Sequence, residues 1–300
     1  STVRSWKNSD ISMSNLRRII WLASYPKSGN TWMRSLLANY FMPAGQAPDI
    51  NNLRRFTTAD VRQDFFAAAN GAPFSSHQVE DWLRVRPKAL ALIAGSNPGT
   101  HFVKTHCQAV RYLGQDLIPP QVTAGAVYML RNPFDLAPSF ARHQSTDLDT
   151  ALGRLTNPDT MMGTQTGIRD ALGRWDDHIR SWTEAPGLPR HVVRYEDMLD
   201  AAPKTVRGLL EFLSIKPDSS KLARAIKATS FDNLKKQEEE LGFTERPDGM
   251  KRFFAKGEAG VWRDELTPAH VARIREAFLP ALEQWYPELL EETEQFAKAG

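Results

Sequence analysis

The sequence predicts an α/β fold, a central parallel sheet flanked by helices, on three observations. Apolar runs of strand length begin at residue 19, before Pro26, and recur at 101–105, 124–130 and 191–194. The first is apolar at consecutive positions, as in strands covered on both faces. Each run is followed by loop residues and then by a stretch with helical spacing, and such alternation builds a parallel sheet with helices on both sides. The chain of 300 residues is 41% apolar, enough for a substantial core, and residues 1–300 are read as one domain without repeats or low-complexity tracts.

The first element carries the most chemistry. The strand runs into Tyr25-Pro26-Lys27-Ser28-Gly29-Asn30-Thr31-Trp32, where Pro26 and Gly29 break it. Trp32, Leu36, Leu37 and Tyr40 then repeat at helical spacing through residue 41. A tight loop opening straight into a helix turns the backbone N–H groups of 27–31 into one hollow, with Lys27 inside it. That is a phosphate-loop-like site for phosphate or sulfate. A nucleotide kinase is disfavoured, because its loop places lysine after the second glycine, as Gly-x-x-x-x-Gly-Lys-Ser/Thr; here Lys27 precedes Gly29. The plain alternative is an ordinary strand-to-helix turn. The octapeptide resembles the phosphosulfate loop of sulfotransferases that use 3′-phosphoadenosine 5′-phosphosulfate (PAPS), usually Tyr-Pro-Lys-Ser-Gly-Thr-Thr-Trp; only Asn30 departs.

Composition narrows the branch. With 38 basic and 35 acidic residues the net charge is +3, which gives no field calling for nucleic acid. No apolar stretch is long enough to span a bilayer, and the first residues, interrupted by Lys7, Asp10, Arg17 and Arg18, lack the apolar core of a signal peptide. The single cysteine, Cys107, suits a reducing compartment, so a cytoplasmic enzyme is expected rather than the membrane-anchored Golgi type.

Residues 43–99 mix short helical patterns with Pro and Gly and read as an excursion over the strand ends. Phe65, Phe66, Phe74 and Trp82 in it are candidates for an apolar acceptor pocket, or for core. The run 101–105 delivers Lys104 and then His106 at its exit. A histidine there is largely neutral at cytosolic pH, with an unperturbed pKa of ~6.5, and is suited to general-base work. Cys107 invites a cysteine-hydrolase reading, but no orienting partner accompanies it. The resemblance implies that Lys104-Thr105-His106 is the family's catalytic element. His106 then takes the acceptor proton, Lys27 stabilises the bridging oxygen and Lys104 the sulfuryl oxygens.

The run 124–130 ends at Arg131-Asn132-Pro133, with Ser139 on the helix expected over 133–142. Arg131 and Ser139 can converge on one phosphate; the alternative is an Arg131 bridge to Asp135. The family's Arg-Asn-Pro-x-Asp-x-x-x-Ser motif implies the former, on the 3′-phosphate. Residues 145–165, rich in Asp, Thr, Gly and Asn, read as a second excursion and an acceptor-site lid. Helices are expected over 166–183, 203–212, 219–228 and 268–278.

Tyr195-Glu196-Asp197 follows the last strand, and the resemblance places the tyrosine near adenine. Thr229-Ser230-Phe231, with Leu234 close behind, is similar to the family's segment in which Phe231 and Trp32 flank the purine. Lys256-Gly257 with Gly260 and Trp262 resembles the loop over the 3′-phosphate, 250–267, although Ala255 stands where an arginine is usual, leaving Arg252 as its replacement. The animal enzymes' dimer motif is absent from 263–272, which suits a bacterial enzyme of unspecified oligomeric state. The resemblance thus implies sulfuryl transfer from PAPS, without metal, to a small-molecule hydroxyl: a phenol, alcohol, glycoside, lipid or peptide natural product. The rivals are a nucleotide kinase and a non-catalytic nucleotide-binding protein of the same fold.

Overall fold

The computed structural model describes residues 18–246, 253 and 257–299. In chain order the elements are β1 (Ile19–Ser24), α1 (Asn30–Phe41), β2 (Thr58–Ala59), α2 (Gln63–Asn70), α3 (Val79–Gly95), β3 (His101–Thr105), β4 (Arg111–Tyr112), β5 (Gln115–Asp116) and β6 (Thr123–Leu130). There follow α4 (Pro133–Gln144), α5 (Leu148–Thr156), β7 (Met161–Gly163), β8 (Arg169–Ala171), α6 (Trp175–Thr183), β9 (Arg190–Arg194) and α7 (Tyr195–Phe212). The chain ends with α8 (Ser219–Ala228), α9 (Phe231–Leu241), α10 (Trp262–Glu265), α11 (Pro268–Trp285) and α12 (Leu290–Lys298).

Five strands form the parallel sheet, in the order β2-β3-β1-β6-β9. Alternate side chains of its central strands enter different cores, as the two-residue period of a strand requires. Trp21, Ala23, Ala126, Tyr128 and Leu130 pack on one face with residues of α3, α4, α6 and α11. Leu22, Val127, Met129 and Val193 pack on the other with α1, α7 and α8. The chain therefore leaves β1 for one face and β6 for the opposite face. A crevice opens between the carboxyl ends of these adjacent strands, where open α/β sheets take their ligands.

Several expected boundaries move. The helix expected over 166–183 is helical only from Trp175. Gly167 and Gly173 have positive φ (84° and 60°), and between them β8 pairs with β7 as a hairpin. Residues 145–165, read as an excursion, hold α5 and β7. The helix expected from 203 begins at Tyr195 and kinks at Ala201, and that expected to end at 278 continues to Trp285 past a kink at Phe278. Within 43–99, α3 is a full amphipathic helix of 17 residues despite Pro87. No helix among the described residues is long and apolar enough to cross a membrane.

Candidate active site

The site grows from the end of β1. Lys27 (φ 72°) and Gly29 (φ 94°) adopt left-handed backbone conformations and turn the chain into α1. A Cβ on Gly29 would lie 2.9 Å from Tyr195 Cδ2, so space as well as φ demands glycine. No side chain caps α1, and its first helical bond runs from the Met33 N–H to the Gly29 carbonyl (3.0 Å). The N–H groups of Asn30, Thr31 and Trp32 lie before that bond, at the helix end that attracts an anion. Asn30 donates through Nδ2 to the Leu22 carbonyl (2.9 Å) and Ser24 Oγ (3.2 Å), binding the loop back onto β1.

A cavity of about 260 Å³ opens at this point. Lys27, Gly29, Asn30, Thr31, Trp32, Lys104, His106, Arg131, Ser139, Tyr195, Phe231, Leu234 and Gly257 all line it. Ser28 does not; it is buried behind the loop beside Met33 and Met129. Thr229 is also withdrawn, its hydroxyl donating to the Ala225 carbonyl (2.8 Å). Lys256, Ala255 and Arg252 lie outside the described residues.

Arg131 donates from Nη1 to the Lys27 carbonyl (3.0 Å), and its guanidinium lies 4.4 Å from the centre of the Tyr195 ring. Its Nε is buried without a partner among the described residues. The alternative bridge to Asp135 does not form. Asp135 accepts instead from the N–H groups of Gly260 (2.7 Å) and Trp262 (3.0 Å) and from Asn132 Nδ2 (2.9 Å), holding the start of α10 against α4. Trp32 and Tyr195 meet edge to face at 5.6 Å. Gly257, at φ 65°, passes so close to Phe231 that a Cβ would fall 2.0 Å from its ring.

Burial, then the charges of Arg131 and Arg142, pull the Lys27 pKa down to about 7 from an ordinary 10.5. Lys27 Nζ lies 3.2 Å from the centre of the Phe253 ring. Lys104 is held by Glu245 (3.2 Å), which also takes two bonds of 3.0 Å from Arg34. Against the cost of burial, Lys104 and Arg34 keep that carboxyl at about 2. His106 Nδ1 lies 2.8 Å from the Ser24 carbonyl. A carbonyl only accepts, so Nδ1 carries the proton and Nε2 is left as the ring's acceptor. Burial first, and Lys104 next, hold the His106 pKa well below 6.5, so the ring is neutral at pH 7. His178 Nε2 lies 3.0 Å from the His106 carbonyl and fixes the backbone there.

Phe66, Phe74 and Trp82, expected as pocket or core, are core: they pack with Cys107, Leu117 and Ile168, and Phe65 lies against them. Burial pushes the Cys107 thiol well up, so it is no nucleophile. The cavity wall also holds Arg142, His143, Met162, Asp170 and Glu245, none singled out by the sequence. They reach it from α4, the β7–β8 hairpin and the segment after α9, and no local motif announces them.

Residues 17–286 match the family model described as the sulfotransferase domain. The chain is 27% identical over 258 residues to "Cytosolic sulfotransferase 1" of Arabidopsis thaliana, covering 83% of this chain and 74% of that protein. It is 26% identical over 283 residues to human sulfotransferase 1E1, covering 89% and 84%. Among solved structures it is similar to mouse sulfotransferase SULT7A1 complexed with PAP, with a TM-score of 0.59, 20% identity and 94% and 90% of the chains covered. It is likewise similar to retinol dehydratase in a complex with retinol and PAP, with a TM-score of 0.61, 21% identity and 90% and 83% covered.

Proposed function

Because the chain belongs to the sulfotransferase family, we propose that it moves a sulfuryl group from PAPS to a hydroxyl of a small-molecule acceptor, with His106 as general base. The observation that carries the reading is the convergence of the 27–32 loop, Lys104, His106, Arg131 and Ser139 on one cavity. The residues fit such a donor: uncapped N–H groups at α1, a buried Arg131 Nε and Trp32 Nε1 without partners among the described residues, and the basic side chains of Lys27, Lys104, Arg131 and Arg142. PAPS supplies the sulfuryl group and a bisphosphate leaving group.

In this reading Lys27 and the N–H groups of 30–32 hold the phosphosulfate, and Arg131 and Ser139 the 3′-phosphate. Trp32, Tyr195, Phe231, Leu234 and Gly257 hold the adenosine. His106 takes the acceptor's proton through Nε2, and Lys104 faces the charge on the transferred group. Positioning and fixed charge supply the rate, as in phosphoryl transfer. The β7–β8 hairpin, through Met162 and Asp170, walls the acceptor side. A cytoplasmic location belongs to the same reading and rests on the single thiol.

Calorimetric titration with adenosine 3′,5′-bisphosphate, AMP and ATP, in wild type and Arg131→Ala, tests the donor assignment. Bisphosphate is expected to bind most tightly and to lose ~10-fold or more in affinity without Arg131, since bonds to charged groups contribute ~1.5–3 kcal/mol. ATP binding as tight as the bisphosphate would return the site to the kinase class.

A further inference from the structure

Apart from the residues given to the donor, the cavity wall offers Pro26, Met162, Leu199, Phe253 and Val261 as apolar groups and Arg142, His143, Asp170 and Glu245 as polar ones. Glu245 is engaged by Arg34 and Lys104. Asp170 forms no ion pair among the described residues; the His106 backbone N–H and the Cys107 thiol are its donors. Its carboxylate lies within 4.8 Å of the Asp60 carboxylate and the Cys107 thiol. Asp60 is taken by Arg86 (2.6 Å) and the Thr105 hydroxyl (2.8 Å), while the thiol stays 3.9 Å from Asp170 Oδ1.

The His106 backbone N–H bonds to Asp170, and both residues line the cavity. A carboxylate has about four acceptor positions, and Asp170 lines the cavity with two protein donors, the His106 N–H and the Cys107 thiol. Burial and then the nearby Asp60 push its pKa up, against Lys104 and Arg86, so the charge is costly until a donor arrives. His143, on the same wall, has a buried Nδ1 with no partner among the described residues.

We propose that Asp170 selects the acceptor by taking a hydrogen bond from a donor group next to the hydroxyl being sulfated. The acceptor class is then a vicinal diol or amino alcohol, not an isolated phenol or sterol hydroxyl. The proposal rests on the reading of this cavity as a sulfuryl-transfer site with His106 as base. Asp170 and His106 line the same cavity and the His106 backbone N–H bonds to Asp170, so an acceptor whose hydroxyl meets His106 carries its second donor on a nearby atom; Phe66, Phe74 and Trp82, which would have favoured an isolated phenol, lie in the core.

The test uses cyclohexanol, trans-cyclohexane-1,2-diol and trans-2-aminocyclohexanol, with phenol and catechol as an aromatic pair. Transfer from PAPS is measured as kcat/KM, and binding to the bisphosphate-loaded protein by saturation-transfer NMR. In wild type the two-donor probes are expected to exceed their single-hydroxyl partners by about tenfold or more, the scale of a bond to a charged group. That ratio is expected to collapse toward one in Asp170→Asn and Asp170→Ala. Diol ahead of amino alcohol identifies a hydroxyl as the donor, and the reverse order an ammonium. Equal values for paired probes, a preference that survives both variants, or no binding of any probe overturns the proposal. Failure of wild type to bind the bisphosphate removes the underlying reading; bisphosphate binding without a two-donor preference removes this inference alone.

Discussion

His106 has its tautomer set by one contact, Nδ1 to the Ser24 carbonyl at 2.8 Å, and its neutrality by burial beside Lys104. Replacing it with alanine is expected to lower kcat by ~10²–10⁴-fold, the worth of a positioned base, while bisphosphate affinity by calorimetry changes little. The sign of the pH effect follows. A general base works unprotonated, and the pKa of His106, the base proposed above, lies well below 6.5, so kcat at saturating substrates should hold from pH 8 to 6.5 and fall only at more acid pH. An acid limb centred at 6.5 or above that disappears in His106→Gln would contradict this environment for the ring. Lys27, Arg131 and His106 were legible because each sits in a short run whose neighbours set its geometry. Glu245 and Asp170 were not, because burial and partners from distant segments make them part of the site. Phe66 and Trp82 were legible as apolar but not as core, since one chain segment does not say what covers it.

At the scale of elements, the strands were readable because consecutive apolar residues serve two cores at once, Trp21 and Ala23 on one face and Leu22 on the other. The region after residue 165 was not. Gly167 is packed so that a Cβ would meet the Ser76 carbonyl oxygen at 1.7 Å, a long-range contact that makes a turn where local spacing suggested helix. Another long-range device holds the edge of the sheet: Asp60, just after β2, pairs with Arg86 of α3 and with Thr105 of β3, all three almost fully buried. Removing one partner leaves the other charge stranded, at a cost of about 3–5 kcal/mol for a buried pair. Asp60→Ala is therefore expected to lower the urea midpoint by that equivalent, and Arg86→Met in the same background to recover part of it. A midpoint unchanged in Asp60→Ala would mean that the pair does not hold β2, β3 and α3 together.

The whole molecule carries a net charge of only +3, yet it places Lys27, Lys104, Arg131 and Arg142 around one cavity. It tolerates this by engaging Lys104 with Glu245 and Arg142 with Glu265, and by holding the Lys27 pKa near 7 through burial and the neighbouring arginines. Loading the site with a bisphosphate supplies the missing negative charge, which must raise the Lys27 pKa toward its ordinary value. At pH 8 the free protein has mostly lost that proton and the loaded protein has it, so binding takes up close to one proton and affinity falls as pH rises through 7. At pH 6 Lys27 is protonated in both states, and uptake from this source vanishes. Calorimetry at pH 8 in two buffers of different ionisation enthalpy measures the uptake directly. Lys27→Arg is expected to abolish it while keeping a cation in the loop, because a guanidinium does not release its proton in this range. Bisphosphate binding at pH 8 with no proton uptake in wild type would show that Lys27 keeps its charge in the free site, and that other groups balance the four cations.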